Sequence, residues 1–271
     1  RLLRVVAGEA LSANQYPFVV AFMVPSRAVA AFFNILPLPD DFPEEVQGCS
    51  GSLVTDRWVL TAAHCGKPDR IRYGDMTVPG NHSRATYSKA IKKVKHPQVT
   101  AIDHDVDIAF ILVEKVIISE YGKISGIDYL SLVGYPIKYI GFGFSPNTYD
   151  TKSRKKKLEG IRVLQKNMGE GAVVKCPKKK NLHSHICIVG KCSNKRGKAS
   201  PADSGGPAIH AGKIVAVCSQ GELTRIYSPA YYFPVSPYLQ WIHSVISSCP
   251  RQPARSRREE SRRHGGADVV C

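Results

Sequence analysis

The chain has 271 residues, 43% of them hydrophobic, with 38 Lys and Arg against 22 Asp and Glu and a formal net charge of +16. That length accommodates one large all-β domain or two small ones, and no stretch reaches the roughly 20 consecutive apolar residues of a membrane-spanning helix. So large a charge attracts polyanions in a salt-dependent way, but neither an interleaved aromatic platform nor zinc-finger spacing accompanies it, which argues against specific nucleic-acid recognition.

Taken in chain order, Arg1 to Arg4 carry no apolar signal core, so the chain reads as soluble and already trimmed. Runs rich in Val, Ile, Phe and Tyr, bounded by turn residues, predict antiparallel strands at Phe18–Val24, Ser52–Leu60, Ile108–Val113, Tyr139–Phe144, Lys213–Cys218 and Tyr231–Val235. Between the first two, Ser26 to Gly48 holds an apolar stretch, Ala28–Leu36, and then a proline- and acid-rich segment, Pro37–Glu45, suited to an exposed surface loop. His96 and His104 are expected at the surface. Basic runs occur at Arg154–Lys157, Lys178–Lys180 and Lys195–Lys198. Near the end, Tyr238, Leu239, Trp241, Ile242, Val245 and Ile246 share one helical face, so the all-β body is closed by a terminal helix. Residues 249–271 are rich in Pro, Arg and Glu and predict a flexible basic tail.

Eight cysteines and the glycan acceptor Asn81-His82-Ser83 indicate an oxidising compartment, hence secretion or granule storage. Acyl transfer by a serine needs a base within hydrogen-bonding reach and an acid to orient that base. Ser204 lies in Asp203-Ser204-Gly205-Gly206-Pro207, whose glycines permit a tight turn that exposes the hydroxyl. His64 follows the strand-like Trp58–Leu60 in Thr61-Ala62-Ala63-His64-Cys65. Asp107 directly precedes Ile108-Ala109-Phe110-Ile111, which favours it over Asp105 as the acid.

These three segments, in the order His, Asp, Ser, resemble the chymotrypsin- and trypsin-like serine proteases from Val5 to about Ile246. The resemblance implies two six-stranded antiparallel Greek-key β-barrels with a C-terminal α-helix and an active site in the cleft between barrels. It divides the chain into a propeptide remnant (1–4), a protease domain (5–248) and the tail (249–271). Ser204 would be the nucleophile, His64 the base and Asp107 the residue that fixes the imidazole, with no cofactor or metal required. Cys49–Cys65 and Cys176–Cys187 resemble two family disulfides; eight cysteines allow 105 connectivities, and the pairing of Cys192, Cys218, Cys249 and Cys271 stays open, Cys192–Cys218 with Cys249–Cys271 being one choice. His183, His185, Cys187 and Cys192 are zinc-ligand residue types, but the oxidising context and the family pairing favour disulfide use.

Arg4-Val5-Val6-Ala7-Gly8 resembles the family's activation site, so an activating protease would free Val5, whose α-ammonium would pair with Asp203 and order the oxyanion hole formed by the N–H groups of Ala202 and Ser204. Relatives carry glycine at the position of Ala202, and glycine permits backbone geometry that alanine resists. The substrate pocket would comprise Lys198, Ala199, Gly221 and Ala230, with Ser200 in place of a common pocket cysteine, as in the granzyme and cathepsin G branch. Gln220 stands where relatives have an aromatic residue. Two functions follow. The favoured one is a secreted endopeptidase acting on protein or peptide substrates. The alternative is a catalytically impaired homologue that binds a heparin-like polyanion or a receptor.

Overall fold

The computed structural model describes residues 9–32, 36–78, 80–100, 106–142, 165–177, 184–190, 202–220 and 229–248. A short strand, β1 (Glu9–Ala10), precedes a closed barrel made of β2 (Val19–Pro25), β3 (Glu45–Leu53), β4 (Trp58–Thr61), β5 (Arg70–Tyr73), β6 (Thr86–Lys95) and β7 (Ala109–Val113). These pair in the order β2-β3-β4-β7-β6-β5, with every neighbouring pair antiparallel. The sequence patterns explain the strands' places. All five residues of β7 are buried, whereas β6 carries exposed lysines and presents only part of its length to the core.

The expected Ser52–Leu60 strand is two strands, because Val54–Arg57 turn the chain back on itself. Thr55 Oγ1 accepts from the N–H groups of Arg57 and Trp58 at 3.3 and 3.1 Å, and Val54 N–H donates to Trp58 O at 2.9 Å. A side-chain acceptor that serves nearby N–H groups is what lets threonine break a strand-like run.

A second barrel contains β8 (Pro136–Gly141), β9 (Asn167–Val174), β10 (Ile186–Gly190), β11 (Pro207–His210), β12 (Lys213–Gln220) and β13 (Ala230–Pro234). Its order is β9-β10-β13-β12-β11-β8, closed by pairing of β8 with β9, and β1 adds to the outer side of β9. The structure thus has the expected two six-stranded antiparallel barrels and C-terminal helix. The β8 strand starts at Pro136, three residues before the apolar run that predicted it.

Two α-helices, α1 (Ser26–Phe32) and α2 (Leu239–Ile246), and two short 3-10 helices at Tyr129–Leu132 and Ser236–Tyr238 complete the described fold. The α2 helix ties the barrels together: Trp241 lies 5.4 Å from Phe110 of β7, and Tyr238, just ahead of the helix, lies 5.0 Å from Phe233 of β13. His96 is not a free surface residue. It stands edge-on to Tyr238 and Trp241 at 4.9 and 5.0 Å, an aromatic packing arrangement that its neighbours in sequence do not announce.

The segment between β2 and β3 also departs from a simple surface loop. Its prolines and acids are largely exposed, as composition predicts, but Val29 and Ala30 of α1, Phe42 and Val46 form a small apolar cluster that includes Ala202. Ser26 anchors the base of the segment through its N–H to Glu44 O at 2.8 Å and its hydroxyl to Pro43 O.

Candidate active site

His64 emerges just beyond β4, after the buried pair Ala62 and Ala63, and Asp107 sits just before β7, which is the hydrogen-bonded neighbour of β4. Two adjacent strands thereby deliver the pair to one end of the first barrel. Asp107 Oδ2 lies 2.8 Å from His64 Nδ1, and Oδ1 accepts the His64 backbone N–H at 2.9 Å. The carboxylate side chain is 2% exposed, the imidazole 32%, so the acid is enclosed while the ring reaches solvent.

A third donor comes from the other barrel: Ser219 Oγ of β12 donates to Asp107 Oδ2 at 2.5 Å. Burial raises the Asp107 carboxyl pKa, but the hydrogen bonds from the His64 ring, Ser219 and the His64 N–H, together with attraction to His64, more than offset this and leave it lowered. Ser219 escaped the sequence reading because a serine in an otherwise apolar strand carries no signal of what it faces.

Ser204 is half-buried in the turn before β11. Its carbonyl accepts Ser50 N–H from β3 at 2.8 Å and lies 3.5 Å from Cys65 Sγ, the residue next to His64. Gly205 and Gly206 bind the same turn to the second barrel through Gly205 N–H to Cys218 O at 2.7 Å and Cys218 N–H to Gly206 O at 2.8 Å. The serine turn is therefore held between barrels, beside the histidine loop. Gly205 is obligatory there: its φ is +80°, and a Cβ would stand 2.1 Å from Thr61 Oγ1 and 2.3 Å from Ser50 O.

Ala202 adopts φ +74° and is 3% exposed. Its carbonyl accepts from Gln47 Nε2 at 2.6 Å and from Ser50 Oγ at 2.7 Å. With the carbonyl anchored, the sign of φ sets the side of the loop on which the Ala202 N–H lies. Left-handed backbone costs an L-residue roughly 1–2 kcal/mol, so alanine takes up a conformation suited to glycine.

Asp203 is 3% exposed, with its carboxylate packed so closely on β8 that a Cβ at Gly141 would stand 2.0 Å from Oδ1. Burial first, and the Asp203 charge in addition, push the Tyr139 hydroxyl and the Cys218 thiol up. Cys218 is a free, buried thiol, so the pairing with Cys192 does not form. Its side chain lies in the second barrel's core beside Tyr139 and Tyr232, and Tyr232 hydrogen-bonds to it. The disulfides Cys49–Cys65 and Cys176–Cys187 are formed.

Lys93 of β6 was not singled out by sequence. Its ammonium donates to Ala63 O at 2.7 Å and to Cys65 O, the carbonyls on either side of His64. Burial lowers its pKa to about 8, with Lys95 acting in the same direction and Asp107 opposing.

Cys49, His64 and Cys65 place donor atoms within 4.8 Å of one another, but the two sulfurs are joined to each other and offer no thiolate to a metal. Asn81 is exposed on a turn, Ala230 is half-buried at the start of β13, and Gln220 is exposed at the end of β12. Arg4, Val5, Lys198, Ala199, Ser200, Gly221, His104, Asp105, His183, Cys192, Cys249 and Cys271 lie outside the described residues.

Comparison with known proteins gives a consistent picture. Trypsin V-A of Rattus norvegicus is 26% identical over 204 residues, covering 73% of this chain and 80% of that protein. Trypsin of Squalus acanthias is 28% identical over 211 residues, covering 74% and 86%. Kallikrein-8 of Homo sapiens is 24% identical over 208 residues, covering 74% and 77%. Among solved structures, neuropsin, a serine protease expressed in the limbic system of mouse brain, superposes with a TM-score of 0.66 at 19% identity, over 88% of this chain and 98% of that one, a likeness of fold. The family model described as Trypsin matches residues 5–242, and the chain belongs to the trypsin family of serine proteases.

Proposed function

We propose that the protein is a secreted or granule-stored serine endopeptidase that hydrolyses peptide bonds through an acyl-enzyme on Ser204. The observation that carries this reading is the His64–Asp107 pair, joined at 2.8 Å through Nδ1 and again at 2.9 Å through the backbone. Nδ1–H donated to the carboxylate leaves Nε2 as the basic nitrogen. Nε2 takes the Ser204 hydroxyl proton as Oγ bonds to the scissile carbonyl carbon, and the buried Asp107 stabilises the imidazolium. The N–H groups of Ala202 and Ser204 then receive the oxyanion. Collapse breaks the C–N bond as the imidazolium protonates the leaving amine, and water repeats the sequence to release the acid.

Cleavage after Arg4 by an activating protease would free the Val5 ammonium to pair with Asp203, a role for which a buried carboxylate beside the serine turn is suited. The proposed pocket residues Lys198, Ala199, Gly221 and Ala230 include no acidic side chain to pair with a basic one, which disfavours cleavage after Lys or Arg. An exposed Asn81 suits glycosylation, and the net charge of +16 suits a heparin-like partner. A second reading, a binding protein with an impaired oxyanion hole, draws on the left-handed alanine at 202.

The two readings separate in one experiment. The chain is cut after Arg4, the Val5 terminus is confirmed by mass, and the product is exposed to a fluorophosphonate probe beside a Ser204→Ala control. Stoichiometric labelling, lost in the control, is the expected result; a folded, correctly cut protein that resists labelling selects the binding protein.

A further inference from the structure

We propose that the segment between β2 and β3 is a clamp that holds Ala202 in its left-handed conformation, so that α1 and Phe42 act as positioning residues for the oxyanion hole. The proposal rests on the proteolytic reading of Ser204 for its catalytic meaning, but its structural content stands separately. Three observations carry it. Ala202 has φ +74°, a conformation that is costlier for an alanine than right-handed backbone. Ala202 is buried in one apolar cluster with Val29 and Ala30 of α1, Phe42 and Val46, which brings the segment from one barrel onto the serine turn of the other. Its carbonyl is fixed from the same direction by Gln47 at 2.6 Å and Ser50 at 2.7 Å, both from β3, the strand into which the segment runs.

A glycine at this place would keep a positive φ without support, because it has no Cβ to penalise it. An alanine bears a backbone cost there that burial of its methyl offsets. The apolar cluster supplies that burial, because Val29, Ala30 and Phe42 are buried in a segment whose other described residues are largely exposed and rich in proline and acid. Alanine at 202 and the apolar side of the segment between β2 and β3 are thus two halves of one device: the methyl joins the cluster, and the cluster holds the backbone that aims the N–H.

The test is a double-mutant cycle on the full chain, with Phe42→Ala as the first perturbation, Val29→Ala as a milder second, and Ala202→Gly in each background. The first readout is the urea midpoint, which needs no activity. In the parent, Ala202→Gly exchanges methyl packing for relief of backbone strain and leaves the midpoint nearly unmoved. In the truncated backgrounds little packing remains to lose, so the same substitution raises it. The second readout is the rate of fluorophosphonate labelling after cleavage at Arg4. Phe42→Ala should slow it about 10-fold or more, as expected for partial loss of one oxyanion donor, and Ala202→Gly should restore most of that loss. Equal effects of Ala202→Gly in all backgrounds, on midpoint and on labelling, overturn the clamp while leaving the protease intact. Coupled midpoints in a protein that never labels uphold the clamp and overturn the proteolytic reading.

Discussion

Gly205→Ala is the substitution for which the geometry makes the sharpest demand. Two costs add. The residue has φ +80°, and an alanine there loses roughly 1–2 kcal/mol relative to glycine. Its Cβ would also stand 2.1 Å from Thr61 Oγ1 and 2.3 Å from Ser50 O, neither of which is the loose end of a long side chain. Thr61 Oγ1 is already committed to Ser50 O at 2.8 Å, so relief requires the serine turn to lift from β3, at an overpacking cost of roughly 1–3 kcal/mol. The sum is about 2–5 kcal/mol from these terms. Because Ser50 N–H holds Ser204 O, the Ser204 hydroxyl moves with the turn, and on the proposed proteolytic reading a displacement near 1 Å costs about 100-fold in rate. Gly212→Ala isolates the backbone cost, since Gly212 has φ +74° and a Cβ there meets nothing within 4 Å. Urea unfolding of both variants, with fluorophosphonate labelling of the Arg4-cleaved proteins, reads both quantities. If Gly205→Ala destabilises no more than Gly212→Ala and labels at the parent rate, the steric argument for the serine turn is wrong.

Two further outcomes follow from the buried charges. Asp107 has a lowered pKa in the fold, so its contribution to stability is present above the ordinary carboxylate value of 3.8 and is lost as pH falls through the folded value. Ser219→Ala removes one bond that lowers it, so acid unfolding followed by circular dichroism should begin at a higher pH than in the parent; an unchanged acid midpoint would show that the cross-barrel bond contributes nothing. Lys166, 2% exposed and bonded to Tyr16 O at 3.1 Å, has its pKa lowered by burial from 10.5 to about 8. Between those values the unfolded chain binds the extra proton, so this group makes stability rise as pH increases from about 8 to 10.5. Urea midpoints at the two ends of that window should differ less in Lys166→Met than in the parent, and an equal difference would refute the assignment.

What could be read from the sequence, and what could not, divides along the range of the interactions. β7 announces itself because every residue is apolar and buried, and β12 through its unbroken apolar run Ile214–Cys218, whereas β6, reading TYSKAIKKVK, is held by its partners β5 and β7 more than by its own pattern. The segments around His64, Asp107 and Ser204 stand out by their local composition, and the fold brings them to one junction. The supporting groups do not stand out. Ser219, Gln47 and Lys93 are ordinary polar residues in strands, and they matter only because another part of the chain places a carboxylate or a backbone carbonyl in front of them.

Ala202 shows the same limit from the other side. As a letter in place of a glycine it reads as damage to a catalytic loop, because sequence registers the loss of conformational freedom but not the packing that answers it. The apolar stretch beginning at Ala28 gives no sign in sequence of what buries it, because its burial partner lies more than 150 residues away along the chain, as the 155-residue separation of Gln47 from Ala202 illustrates. Each feature alone points to a weaker enzyme or a neutral loop. Placed in one cluster, they explain one another: the methyl that makes the backbone costly is buried together with the segment between β2 and β3, and an activity judgement made from either one alone would lack the other half of the free-energy difference.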